Sequence, residues 1–154
     1  MRHASAEISP RKRDFDRLLA NNGQIEAKKT AIFLSNYQID KMIVSYVKRT
    51  TQTSDIIREL ISPNEIDITK DLYKKDCEKI IDLLSTQEDR HKSILILGHN
   101  PHIYDIALEL AETNSKEYVS LLETTMTPAM VVVIDFPKIE SWQNIGTNRG
   151  NINK

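Results

Sequence analysis

Three short apolar runs break the chain: Lys-Met-Ile-Val-Ser at 41–45, Ser-Ile-Leu-Ile-Leu-Gly at 93–98 and Ala-Met-Val-Val-Val-Ile-Asp at 129–135. They are rich in Ile and Val and barely alternate, the pattern of strands covered on both faces. Ile66 to Ile68 is a fourth, shorter candidate. Between these runs the apolar spacing becomes helical. Tyr73, Cys77, Ile80, Ile81 and Leu84 fall on one face, as do Ile103, Ile106, Ala107, Leu110 and Ala111. Ile56, Ile57, Leu60 and Ile61 predict a helix over 55–61, and residues 24–34 a less cleanly patterned one. Strands alternating with helices predict an α/β fold with a largely parallel sheet. Four glycines and five prolines leave little room for long loops. The Asn- and Gly-rich segment 147–154 reads as a disordered tail, which leaves a single domain over 1–146.

Composition narrows the function classes. At 154 residues the chain can bury one core without disulfides or metals. Lys and Arg number 21 against 22 Asp and Glu, so nothing in the bulk charge favours nucleic acid or an anionic membrane. Cys77 is the single cysteine, which excludes an internal disulfide and a Cys-rich zinc site and fits a reducing, cytoplasmic setting. No apolar run approaches the roughly 20 residues that span a bilayer. Met1 to Ser5 lacks the apolar stretch of a signal peptide.

Candidate chemistry gathers where strands end. In Leu97-Gly98-His99-Asn100-Pro101 the strand stops, Asn100 is suited to cap a helix and Pro101 to its first position. His99 is thereby placed at the carboxyl end of a strand beside a helix N-terminus, where α/β sheets bind ligands and anions. A histidine in such a turn can equally well serve only to bond the backbone. Arg49 follows the 41–45 strand in the same way, although by itself an arginine in a polar turn is usually solvated. Arg2 beside His3, and Arg17, add further basic groups. Arginines that fork onto a phosphate, together with two histidines, suit a phosphoryl site.

Arg2-His3-Ala4 resembles the Arg-His-Gly/Ala motif of the histidine phosphatase superfamily. Asp14 to Leu19 followed by Asn22-Gly23, Ser45 to Thr53, Gly98-His99-Asn100-Pro101, and Thr127-Pro128-Ala129 followed by Ser141-Trp142 are similar, in order and spacing, to segments of its short bacterial branch, the SixA-type phosphohistidine phosphatases. The resemblance implies a three-layer α/β/α sandwich of the phosphoglycerate-mutase-like kind. It implies a catalytic pair, His3 and His99, with His3 the nucleophile that becomes phosphorylated. Arg2, Arg17 and Arg49 would bind phosphate, with His99 also holding phosphoryl oxygens. No metal or other cofactor is expected. The partner would be a phosphohistidine-bearing protein or a small phosphoester. Alternatives within the resemblance are a small-molecule phosphomonoesterase and a non-catalytic, phosphohistidine-binding member.

The sequence departs from that pattern at Leu18 and Tyr46, where the family commonly has proline, or at the second position proline or serine, and at His102, where glycine is common. Glu65 and Asp71 lie in the interval where phosphosugar-acting branches place an acid, but read as solvated residues. In the family the Arg-His pair ends a central first strand, and only Met1 precedes it here. That strand is therefore expected to be missing from the chain, leaving His3 on a flexible terminus.

Overall fold

The computed structural model describes residues 1–73 and 77–153. Among the described residues, five α-helices and five strands follow in the order α1 (Asn21–Leu34), β1 (Lys41–Ser45), α2 (Lys48–Ile57), β2 (Glu65–Thr69), α3 (Cys77–Ser85), β3 (Ile94–Leu97), α4 (His102–Leu110), α5 (Lys116–Leu122), β4 (Val133–Asp135) and β5 (Asn151–Asn153). The strands of the sheet run β2-β1-β3, all parallel, with Lys41 opposite both Glu65 and Ile94. β1 lies in the middle and every one of its residues is buried.

The pleat of β1 divides the core. Met42 and Val44 point to one face, where they meet Ala27, Ala31 and Leu34 of α1, Ile57 of α2, and Leu95 and Leu97 of β3. Ile43 points to the other face, with Ile80 and Leu84 of α3 and Ile106 and Leu110 of α4. Burying each such side chain contributes about 1.5–3 kcal/mol. The result is the three-layer α/β/α sandwich expected. Among the described residues no helix is long and apolar enough to cross a membrane.

Several elements differ from the sequence reading. The helix expected over 55–61 begins earlier, at Lys48, and ends at Ile57, so Arg49 sits in its first turn rather than in a loop. Of the helical face from Tyr73 to Leu84, residues 74–76 lie outside the described residues and Cys77–Ser85 are helical. Asn100 does not cap α4. The residue before that helix is Pro101, and the Asn100 amide instead donates to the Met126 carbonyl at 3.1 Å. The valine-rich run is a strand only from Val133. Ala129 at its start has a left-handed backbone (φ 61°), held by its N–H on the His3 carbonyl (3.1 Å) and by the Thr30 hydroxyl on its own carbonyl (2.9 Å).

The segment read as a disordered tail carries β5, which pairs antiparallel with β4, Ile152 opposite Ile134. Just before it, the N–H groups of Arg149 and Gly150 donate to the Leu110 carbonyl, satisfying an end of α4 that has no partner of its own. Only glycine fits at 150, since a Cβ there would come within 2.2 Å of Ile134.

His3 is not on a flexible terminus. Residues 1–3 run parallel beside the end of β3. The Gly98 N–H donates to Met1 (3.1 Å), the His3 N–H to Gly98 (3.0 Å) and the Arg2 N–H to Met130 (3.1 Å). The Met1 amine donates to Ile96 at 2.8 Å, and burial lowers its pKa to about 5. Alongside β3 lies a cavity of about 350 Å³ lined by Ile94, Ile96, Val131 and Val133. His3, Arg49 and His99 do not line it.

Candidate active site

The carboxyl ends of β1 and β3 open on one place. Gly98 carries the chain from β3 into His99, while Ser45 ends β1 just before α2. The start of the chain is pinned between them. Ser5 is held by Glu26 of α1, whose carboxylate accepts from its N–H and its hydroxyl, both at 2.8 Å. Gly23 makes this possible, because a Cβ at that point of α1 would lie 2.0 Å from the Ser5 carbonyl oxygen. Thr53 of α2 ties the two sides together. It accepts from the Ala4 N–H (3.2 Å) and donates to the Arg49 carbonyl (2.7 Å).

These supports bring the expected residues together. The rings of His3 and His99 stand 5.1 Å apart between centroids. His3 Nδ1 lies 2.7 Å from the Ala4 carbonyl, which can only accept, so that nitrogen carries the proton and Nε2 keeps its lone pair. Arg49 Nε donates to that Nε2 at 3.1 Å. His99 Nε2 sits 2.8 Å from the Ser45 hydroxyl and 3.3 Å from that of Thr50, and its Nδ1 is buried without a protein partner. Arg2 spends one guanidinium nitrogen on the Met126 carbonyl (2.7 Å), while its Nε is buried and unpaired. Arg17 stands one step back, on the Glu7 carbonyl (2.8 Å) and Asp14 (3.2 Å).

Both imidazoles are neutral. Burial, followed by the charge of Arg49, lowers His3 to about 4 and His99 to about 3. A neutral imidazole whose Nε2 lone pair faces Arg49, with the buried, unpaired Arg2 Nε–H in the same site, can attack an electrophilic phosphorus while the arginines hold the oxygens around it.

Sequence reasoning missed the centre of this arrangement, Asp14. Its carboxylate takes Arg49 (2.9 Å), Arg17 (3.2 Å) and the Tyr73 hydroxyl (3.0 Å), and its carbonyl takes Arg49 again (2.6 Å). Burial favours its neutral form, but the bonds from Arg49 and Tyr73 outweigh that and hold it below the usual carboxylate range. The spacing of Asp14 to Arg17 is visible in sequence, whereas the partners at 49 and 73 are not. Glu65 lies at the opposite end of the sheet, bound to Lys41 at 2.6 Å, and is no acid for this site. His102 opens α4 and its charge acts weakly on His99.

The family model of the histidine phosphatase superfamily (branch 1) matches residues 1–92. No curated protein matches the sequence. The fold is similar to that of a proposed phosphohistidine phosphatase SixA from Nakamurella multipartitia (TM-score 0.87, 21% identity, covering 100% of this chain and 91% of that one). It is also similar to a proposed SixA from Agrobacterium tumefaciens (TM-score 0.78, 25% identity, 88% of each chain). A third similar structure is the protein histidine phosphatase SixA complexed with tungstate (TM-score 0.79, 19% identity, 100% of this chain and 92% of that one). These neighbours share the phosphoglycerate-mutase-like sandwich. On the match over more than half of its length, the chain belongs to the histidine phosphatase superfamily, branch 1.

Proposed function

We propose that the protein is a phosphatase that works through a phosphohistidine on His3, with a phosphohistidine on another protein as its substrate. The observation that carries this reading is the orientation of His3, with Nδ1 fixed on the Ala4 carbonyl and Nε2 turned to Arg49 beside the His99 ring. His3 Nε2 attacks phosphorus, and the P–N bond to the substrate imidazole breaks with its electron pair going to that nitrogen. Arg2, Arg49 and His99 hold the three phosphoryl oxygens, and Arg17 supports them through Asp14. Water then attacks phosphorus, the bond to His3 breaks, and inorganic phosphate leaves.

The state of Asp14 favours a nitrogen leaving group. An alkoxide needs a proton as it departs, and Asp14, held ionised by Arg49 and Tyr73, has none to give. An imidazole protonated on its far nitrogen departs neutral without help. Two of the similar structures are SixA proteins proposed to act on phosphohistidine, and another holds tungstate, a tetrahedral oxyanion.

Rapid quenching of a reaction with a labelled phosphohistidine protein tests this. Acid-labile label is expected on His3, and His3→Ala should lose turnover by several orders of magnitude while keeping its melting transition. Label trapped on any other residue overturns the assignment.

A further inference from the structure

Tyr46, one of the departures from the family pattern, stands just past the end of β1, with its N–H on the Thr69 carbonyl (3.0 Å). Its ring meets that of Tyr73 edge-on, with centroids 5.7 Å apart and planes at 87°. Tyr73 in turn stands edge-on to His99, at 5.5 Å and 81°. An aromatic line therefore leads outward from the phosphate site, from His99 through Tyr73 to Tyr46, which is 36% exposed. The Lys70 ammonium lies 6.0 Å from the Tyr46 ring. The Tyr73 hydroxyl donates to Asp14 at 3.0 Å.

We propose that Tyr46 and Tyr73 form the leaving-group subsite and select a flat ring, in the reading above the imidazole of the substrate phosphohistidine, over a non-aromatic leaving group. The inference rests on that reading and adds to it the residues that recognise the group being released. A planar ring can pack on one tyrosine face or edge while the neighbouring tyrosine fixes its tilt. An aliphatic chain does not gain this contact.

The test pairs two small P–N compounds, phosphoimidazole, which carries the ring, and phosphoramidate, which does not. Aromatic contacts of this kind are worth about three- to tenfold in an equilibrium constant. Tyr46→Leu should raise KM for phosphoimidazole by that factor and leave KM for phosphoramidate unchanged, while Tyr46→Phe should keep the wild-type value because it keeps the ring. Equal effects on both compounds, or none on either, overturn the proposal. An aryl phosphate separates the two readings. If neither P–N compound turns over but p-nitrophenyl phosphate does, with the same loss in Tyr46→Leu, the ring subsite stands and the phosphohistidine reading falls.

Discussion

The two ends of the parallel sheet hold comparable numbers of charges and use them in opposite ways. At the amino end, buried Lys41 binds Glu65 and Asp67, both at 2.6 Å. Glu65 also takes Arg90 (2.9 Å), and Asp40 takes the Lys92 N–H (2.7 Å). Burial works against the Lys41 charge, but its two carboxylates outweigh that and raise its pKa. At the carboxyl end, Arg49 and Arg17 share the single carboxylate of Asp14, Arg2 leans on a main-chain carbonyl, and buried donors stay unpaired. At the amino end Lys41 and Arg90 have carboxylates within the chain. At the other end three arginines have the carboxylate of Asp14 between them and Arg2 keeps an unpaired Nε–H, a state that disfavours the empty site and that an incoming dianion relieves.

The sharpest way to break this comparison is to remove one cation from each end. Arg49→Ala should lower turnover by roughly 10²–10³, the usual loss for one preorganised donor, and Arg49→Lys should recover part of it, because an ammonium lacks the planar fork. Lys41→Ala should leave turnover near wild type and lower stability instead. Steady-state rates and melting curves on the three variants check both arms, and a Lys41 variant that lost turnover as Arg49→Ala does would erase the distinction between the ends.

A smaller effect is expected from Gly23→Ala. The new methyl group collides with the Ser5 carbonyl, and overpacking costs about 1–3 kcal/mol. Because Ser5 continues from the His3 strand, the displaced segment carries His3 with it. Turnover should fall further than the melting temperature alone accounts for. An activity loss no larger than the unfolded fraction would mean that α1 does not position His3.

The pH dependence of stability is the mildest test. His3 and His99 have lower pKa values folded, about 4 and 3, than the ordinary 6.5 of the unfolded chain. Between these values the unfolded chain binds more protons. Their contribution is therefore complete above about pH 6.5 and is lost as pH falls toward 4. The melting temperature should decline from pH 7 to pH 5, and added phosphate, which favours protonated imidazoles, should flatten that decline. His99→Gln should flatten it without phosphate. An unchanged slope in that variant would show that the site histidines do not carry the effect.

How much of this was legible depends on range. β1 was readable because both faces are buried, and β3 because its apolar run is unbroken, although Ile94 and Ile96 are only half-buried. β2 was readable from three residues, Ile66 to Ile68, although as an edge strand it is only half covered. His3, Arg49 and His99 could be named from motifs, since each stands beside a strand end. The role of Asp14 was not readable, because it depends on partners 35 and 59 residues away. α5 is too short for a periodic signal and is started by Ser115, whose hydroxyl accepts from the Tyr118 N–H. β5 escaped notice because it consists of Asn-Ile-Asn and is made a strand by Ile134 opposite it rather than by its own composition. The Val-rich run misled in the other direction, since Ala129 serves His3 before the strand begins.

The pinning of residues 1–3 between Gly98 and residues 129–130 also bears on how the protein is made. A ribosome adds roughly 5–20 residues per second. His3 is therefore synthesised roughly 6–25 s before Met130, the residue that receives the Arg2 N–H, exists. Throughout that interval the segment bearing His3 lacks part of its dock, and the contacts still missing are among the longest-range in the chain, the kind that form late. Phosphatase activity in a nascent or truncated chain would thus switch on only once the last third has emerged, so its appearance clocks the completion of folding.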